Sequence, residues 1–234
     1  MSEPFQSSPR PAERGVNLPD IDSRTKILSA VRGALALHHP DPEALRREAD
    51  ALLAGVAATR PALLAPGLLD AFIARATTPK VGATVARVAS PAQWPEAVRA
   101  YLTAQGLPPV IALQPAAALR ALDWQGLTLH DALASDEAVA VAQARWGIAE
   151  TGSLVFHSSP ESPVLTHFLP SHEVVLLRAE DVLAYLEDYA DAVAGQRPPR
   201  NANLVTGASG TTDIEGELVL GAHGPRRLHI VVAG

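Results

Sequence analysis

The chain has 234 residues, a net charge of −6 and an apolar share of 47%. This size and apolar share suffice for one α/β domain with a sizeable core, and the 19 basic residues are spread without a cluster that would predict nucleic-acid binding. The lack of cysteine excludes disulfides and thiolate ligation of an iron–sulfur cluster.

Residues 1–20 form a polar stretch that contains prolines and has no apolar core like that of a signal peptide. We expect a flexible N-terminal arm here. No apolar run in the chain approaches the roughly 18 to 20 residues that a membrane-spanning helix needs. We therefore expect a cytoplasmic protein with no membrane span.

Three amphipathic segments follow the arm, over residues 24–37, 42–59 and 67–75. Their apolar side chains recur at helical spacing, as Ile27, Val31 and Leu35 do in the first. We predict a helix over each segment. Together they form an N-terminal helical segment, residues 21–78, which we expect to pack on a domain that covers residues 79–234.

The pattern changes to strands that alternate with helices from residue 81 onward. Continuous apolar runs, such as residues 109–113, are typical of buried parallel strands. Strands are predicted at 82–90, 109–113, 127–130, 138–142, 153–157, 174–177, 204–205 and 228–232, and helices at 92–105, 116–122 and 179–194. This alternation predicts an α/β fold with a mostly parallel sheet and helices on both faces.

Three polar clusters fall at the ends of predicted strands, and we expect all three at the carboxyl edge of the sheet. The first is the turn from Glu150 to Ser153, which holds a carboxylate, two hydroxyls and Gly152. The hydroxyls of Thr151 and Ser153 could bind a carboxylate or phosphate. They could equally satisfy backbone groups of the turn itself.

The second cluster spans Leu169 to Glu173, just before a predicted strand. Its His172 could act as an acid or a base near neutral pH. The simpler alternative is that this imidazole only hydrogen-bonds a neighbouring loop.

The third cluster begins with a turn that is rich in glycine and hydroxyls, residues 206–212, and that we expect to lead into a short helix or turn. Such turns often hold an anion on backbone N–H groups. The spacing matches neither a Walker loop nor the dinucleotide-binding pattern. The candidate ligand-binding residues are Thr206, Gly207, Ser209, Thr211, Asp213 and Gly224.

Carboxylates and an imidazole follow that turn at Asp213, Glu215 and His223. Their loose spacing favours no metal site. Asp213 could instead cap the turn, and Glu215 could pair with Arg226 or Arg227.

No nucleophile is arranged in a recognisable motif, because the chain has no cysteine and no GxSxG sequence. The sequence therefore does not identify the catalytic residues. The candidates are Glu150, His172, Glu215 and His223.

These motifs together resemble those of the LUD domain family. The resemblance covers residues 80–234 and rests on residues 147–155, 169–172, 206–215, 218–225 and 228–230. Two positions depart from the family pattern. Gly210 stands where the family commonly has arginine, which removes a fixed cation, and Ser153 stands where threonine is more usual.

The resemblance implies a NagB/RpiA/CoA-transferase-like fold and a role in a three-part system that oxidises L-lactate to pyruvate. The iron–sulfur clusters of such a system are expected on partner subunits, with no cofactor in this chain. We therefore expect a component of a lactate-oxidising complex, with an edge pocket for a small anionic ligand, rather than a complete enzyme.

Two alternatives stay open. One is a stand-alone enzyme that acts on a small phosphorylated or acyl substrate, such as a sugar phosphate, a folate or a CoA ester. The other is a scaffold without a ligand, which binds partners through its helices and its N-terminal arm.

Overall fold

A computed structural model describes residues 21–36, 41–212, 218–221 and 223–234. The chain divides into two compact units between Thr59 and Arg60. The described part of the first unit contains two helices, α1 (Ile21–Ala36) and α2 (Pro42–Thr59). Both helices were predicted from their apolar periodicity. None of the helices in the described ranges is both long and apolar enough to cross a membrane.

The second unit contains all the described strands and four helices. The helices are α3 (Leu68–Ala76), α4 (Trp94–Ala104), α5 (Ala117–Arg120) and α6 (Leu186–Ala192). The strands are β1 (Thr84–Val88), β2 (Val110–Leu113), β3 (Thr128–His130), β4 (Val139–Gln143), β5 (Trp146–Ile148), β6 (Ser153–His157), β7 (His172–Arg178), β8 (Val182–Leu183), β9 (Ala202–Val205), β10 (Gly210–Thr212), β11 (Leu218–Leu220) and β12 (Arg227–Ala233).

A six-stranded sheet forms the centre of this unit, in the order β1-β12-β7-β4-β2-β3 with every neighbouring pair parallel. Its middle strands are buried on both faces, which explains their continuous apolar runs. Along β7, Val174 and Leu176 face a core formed with α4, whereas Val175 and Leu177 face a core formed with α3. The predicted α/β fold, a mostly parallel sheet with helices on both faces, is confirmed.

A second sheet of four strands, in the order β8-β5-β6-β9, covers part of the α3 side. Within it β6 is antiparallel to both β5 and β9. The runs at 153–157 and 204–205 were predicted as strands of one mostly parallel sheet. That assignment was wrong because apolar composition locates a strand but does not identify its partner.

The predicted helix over residues 179–194 is also wrong in its first half. Residues Ala179–Asp181 form a 3-10 turn, and the two residues of β8 follow before α6 begins at Leu186. The β8 strand pairs with β5, and its Val182 is buried in the core. Tertiary pairing therefore overrides the helical pattern of this segment.

A histidine and a glutamate lie side by side inside the second unit. Nδ1 of His167 is 2.7 Å from Oε1 of Glu173, and both side chains are at most 1% exposed. The imidazole stacks on the ring of Phe156, with centroids 3.8 Å apart. Burial raises the pKa of Glu173, while the contact with His167 lowers it. The pair is thus buried away from water, where each polar group needs the other as its hydrogen-bond partner.

We expect His167→Leu to lower the free energy of unfolding by about 3 kcal/mol, because it leaves the buried Glu173 carboxyl group without a partner. Adding Glu173→Leu to that variant should recover most of the loss, because an apolar pair needs no compensation. Urea unfolding of the two single variants and the double variant measures this coupling. Additive losses would contradict it.

Candidate functional site

A cavity of about 760 Å³ opens at the amino edge of the six-stranded sheet. Strands β1, β7 and β12 begin side by side at this edge, since Thr84 is paired with His229 and His172 with Arg227. The last turns of α4 add Tyr101 to the wall. The cavity is lined by Pro79, Lys80, Val81, Gly82, Thr84, Tyr101, Gln105, His172, Ala208, Gly210, Leu220, Arg226, Arg227 and Leu228. We call this space the amino-edge pocket.

Tyr101 joins two histidines beside the pocket. Its hydroxyl lies 2.8 Å from Nδ1 of His172, and its ring stacks on His229 with centroids 4.2 Å apart. Nδ1 of His229 lies 2.8 Å from the hydroxyl oxygen of Thr84. The four side chains form one polar cluster that is fixed by strand register and by α4.

Burial controls the protonation of this cluster. It lowers the pKa of His229 to about 4, and burial together with Arg227 lowers the pKa of His172. Burial also raises the pKa of Tyr101, an effect that Arg227 partly opposes. Both imidazoles are therefore neutral at neutral pH, and Nε2 of His172 has no partner within the described residues. His172 can accept a proton from a bound molecule.

Three cations give the pocket a positive lining. Lys80, Arg226 and Arg227 all line it, and none of them forms an ion pair within the described part of the chain. The described lining residues include no aspartate or glutamate. Gly210 lines the same space, so these cations lie near the position where the resemblance leads us to expect an arginine. Such a surface attracts anions.

Backbone hydrogen bonds bring the second and third clusters together. The carbonyl of Ser171 accepts hydrogen bonds from the amides of Arg226, at 2.9 Å, and Arg227, at 3.2 Å. The amide of Ser209 donates to the carbonyl of Pro225 at 2.8 Å. The segment before β7 and the segment before β12 therefore lie against each other, and His172, Arg226 and Arg227 next to this contact line the pocket.

His223 and Gly224 lie beside a smaller cavity of about 380 Å³ that shares Arg226 with the amino-edge pocket. The loop of residues 168–171 also lines this cavity. His223 is exposed there. The structure thus brings this histidine close to the pocket without making it part of the lining.

The first cluster does not line the amino-edge pocket. The Ser153 hydroxyl lies 2.7 Å from that of Thr151 and 2.5 Å from that of Thr206. Oε2 of Glu150 accepts a hydrogen bond from the amide of Leu186 at the start of α6, at 3.3 Å. These contacts connect β6, β9 and α6, so the turn fixes the second sheet in place.

Two glycines allow close backbone contacts around this turn. Gly152 has φ +72°, and a side chain there would lie 2.9 Å from the amide nitrogen of Ala76 at the end of α3. Gly207 has φ +81°, and a side chain there would meet the carbonyl oxygen of Val81. Since residue 81 also lines the pocket, Gly207 positions one of its walls.

Residues 206–212 were predicted as a turn that leads into a short helix or turn, and this prediction is wrong for the last three of these residues. Gly210–Thr212 is a strand, β10, which pairs with β11 so that Thr211 lies opposite Val219. Asp213 and Glu215 lie outside the described residues. Among the residues that are described, no three histidine, aspartate or glutamate side chains lie close enough together to hold a metal ion.

The expectation that the three clusters meet at the carboxyl edge of the sheet is also wrong. His172 is the first residue of β7, and Arg227 is the first residue of β12, so both lie at the amino edge. The Glu150 turn and the end of β9 belong to the second sheet. Residues that precede a parallel strand lie at the amino edge, and those that follow it lie at the carboxyl edge.

Several pocket residues were missed by the sequence analysis. Tyr101 lies on an amphipathic helix and His229 in an apolar strand, so periodicity assigned both to ordinary packing. Lys80 and Thr84 belong to no motif. The adjacent pair Arg226 and Arg227, directly after a polar cluster, was the feature of the sequence that could have indicated a positively charged pocket.

Comparison with known proteins now identifies the family. The sequence model of the LUD domain matches residues 73–233. The chain belongs to the LUD domain family. It is also similar in fold to a crystal structure of a DUF162 family protein from Deinococcus radiodurans, with a TM-score of 0.52 and 20% identity over 71% of this chain and 96% of that one.

Relatives with higher identity match shorter stretches. YkgG of Escherichia coli (strain K12) is 35% identical over 92 residues, which are 37% of this chain and 40% of that protein. Lactate utilization protein C of Deinococcus radiodurans is 32% identical over 89 residues, which are 37% of this chain and 42% of that protein. The chain thus covers about two fifths of the length of these relatives.

We expect Gly207→Ala to destabilise the protein by about 2 kcal/mol more than Gly106→Ala. Gly106 also has a positive φ, of +64°, but a Cβ atom at that position would have no atom within 4 Å, whereas one at Gly207 would meet the Val81 carbonyl. Urea unfolding of the two variants measures the difference. Equal losses of unfolding free energy in the two variants would show that the close contact at Gly207 does not affect stability.

The His229 imidazole should make stability depend on pH. Its pKa is about 4 in the folded protein and 6.5 when unperturbed, so the unfolded chain binds the proton more readily between these values. The free energy of unfolding should therefore fall as pH drops from 6.5 to about 4, by on the order of 3 kcal/mol from this group. His229→Asn should reduce that slope, as measured by urea unfolding across pH. An equal slope in the wild-type protein and this variant would contradict this assignment.

Proposed function

We propose that this protein is the non-iron–sulfur subunit of a system that oxidises L-lactate to pyruvate. Several similar proteins carry the name lactate utilization protein C. The match to the LUD domain supports the same role. Because the 234 residues include no cysteine, iron–sulfur clusters would be held by thiolates of partner subunits.

The observation that carries the proposal is the amino-edge pocket. It includes His172, Ala208, Gly210, Leu220 and Leu228 from the segments on which the family resemblance rests, and Lys80, Arg226 and Arg227 give it a positive lining. Lactate and pyruvate are both carboxylates. Arginine binds carboxylates through paired N–H groups, so Arg226 and Arg227 suit such a ligand.

The pocket would bind and orient the ligand in this proposal. The cations would hold a carboxylate, and neutral His172 would lie where it can take a proton from a hydroxyl group. Tyr101 would hold the imidazole through its contact with Nδ1. Oxidation of lactate to pyruvate removes two electrons and two protons, one proton from the hydroxyl group and one from the carbon that carries it. His172 would take the hydroxyl proton, the second proton would go to solvent, and the clusters of the partner subunits would accept the electrons.

The size of the pocket favours one alternative, a stand-alone enzyme with a phosphorylated or acyl substrate. A volume of about 760 Å³ lies within the range that holds drug-sized ligands and exceeds the need of a three-carbon acid. In that case the same cations would bind a phosphate or a larger acid. Glu150, one candidate base, does not line the pocket.

Deletion of the gene should abolish growth on L-lactate and leave growth on pyruvate unchanged. A plasmid that expresses the Arg227→Gln variant should restore growth on lactate at a rate at least several-fold below wild type, because one pocket cation is lost. Arg120→Gln is the matched control, since Arg120 pairs with Asp131 on the surface and does not line the pocket. It should restore full growth.

The same strains test the partner proposal. Tagged wild-type protein and both variants should co-purify with iron–sulfur proteins, recognised by their visible absorbance and iron content. Unchanged growth of the deletion strain on lactate, together with no co-purified iron, would overturn the proposed role and favour a stand-alone enzyme.

A further inference from the structure

A second crevice lies at the opposite, carboxyl edge of the six-stranded sheet. The chain leaves β2 towards β3 at one side of the sheet, whereas after β4 it passes through β5 and β6 of the second sheet and returns as β7 on the other side. The carboxyl ends of β2 and β4 are neighbours. The two connections that leave these ends run to opposite sides of the sheet, so they separate at this point. In open parallel sheets this divergence creates a crevice in which ligands bind.

The crevice has a volume of about 380 Å³, enough for a small metabolite. It opens beside a groove of about 1060 Å³ with which it shares Ser158, Ser159, Ser162, Arg197 and Pro199. Gln114 follows β2 at its floor, and Gln143 ends β4. None of the residues that line the crevice lines the amino-edge pocket.

Gln114 presents an unused donor to this space. Its side chain is 6% exposed, and its Oε1 accepts a hydrogen bond from the amide of Gln143 at 2.6 Å. The carboxamide NH₂ of Gln114 has no partner among the described residues. This NH₂ group is open to the crevice, so it can donate a hydrogen bond to a ligand that binds there.

Arg145 gives the crevice a fixed cation. Its guanidinium lies over the ring of Trp146, 4.5 Å from the centroid, and donates to Gln196 at 2.7 Å and to Nδ1 of His157 at 3.2 Å. Since arginine can only donate, Nδ1 of His157 is unprotonated and Nε2 donates to the hydroxyl of Tyr189, 2.8 Å away. These partners are neutral and hold the guanidinium in place without cancelling its charge.

A second cation and two hydroxyls complete the lining. Arg197 lies in the loop before β9 and forms no ion pair within the described ranges, and the hydroxyls of Ser159 and Ser162 make no hydrogen bond there. Glu161 is the one described lining residue with a negative charge. The two arginines therefore outweigh it.

We propose that this crevice is a second ligand site, which binds a small molecule through a phosphate or carboxylate group held by Arg145 and Arg197, with Gln114 donating to a further oxygen. Both anionic groups match the planar donors of arginine. The site is separate from the amino-edge pocket and does not depend on the proposed role in lactate oxidation.

The test is a titration of the purified full chain with inorganic phosphate and, separately, with malonate at constant ionic strength. Trp146 lies under the Arg145 guanidinium, so binding should change its fluorescence, and Trp146→Phe should remove that change. We expect saturation at millimolar concentrations, and at least a tenfold weaker Kd in Arg197→Gln, which keeps the stack on Trp146 intact. Arg145→Gln should weaken binding equally when the midpoint of thermal unfolding is the readout.

Two controls separate this site from the pocket. Arg120→Gln should bind both probes with an unchanged Kd, and so should Arg227→Gln, which alters only the amino-edge pocket. Saturation by phosphate alone identifies a phosphorylated ligand, by malonate alone a dicarboxylate, and by both a general anion site, and each result supports the proposal. No saturation with either probe, or binding that Arg227→Gln abolishes and Arg197→Gln leaves intact, would overturn it.

Discussion

The position of β12 between β1 and β7 is the constraint on which the rest of the second unit depends. Its parallel pairing on both sides buries Ile230 and Val231 on opposite faces of the sheet. The same register sets Thr84 beside His229 and His172 beside Arg227. Core packing and pocket geometry therefore have one cause, and a change in register would disturb both at once.

The alternation of side chains along β7 separates two environments for polar groups. His172 begins the strand at the pocket, where Tyr101 and solvent-exposed cations surround it. Its neighbour Glu173 points to the other face, where it is fully buried with His167. Adjacent residues in sequence thus serve different purposes, because a strand directs successive side chains to opposite faces.

The sequence predicted the sheet better than it predicted the site. Apolar runs such as residues 139–142 located the buried strands, because a parallel strand covered on both faces must be apolar throughout. The partners of β6 and β9 could not be predicted, because pairing depends on contacts between distant segments. The two-residue strand β8 was predicted as part of a helix, because its pairing with β5 also depends on a distant segment.

The polar clusters were recognised by their composition, but composition does not say which edge of the sheet a loop occupies. His172 and Arg227 lie at the amino edge because their segments precede strands. Tyr101 and His229 could not be recognised as site residues from the sequence, since each fits the periodicity of a core position. Their role depends on a stacking contact between a helix and a strand that only the folded chain contains.

The central place of β12 also bears on how the protein folds. Thr84 and His229 are 145 residues apart in the chain, yet their side chains touch. Among the strands that the structure describes, β1 pairs with β12 alone, so its pairing has to wait for that distant segment. Contacts of such long sequence separation slow folding and leave an apolar edge available to wrong partners in the meantime. We therefore expect the pairing of β1 with β12 to be a late step in folding, and the amino-edge pocket, which residues of both strands line, to form with it.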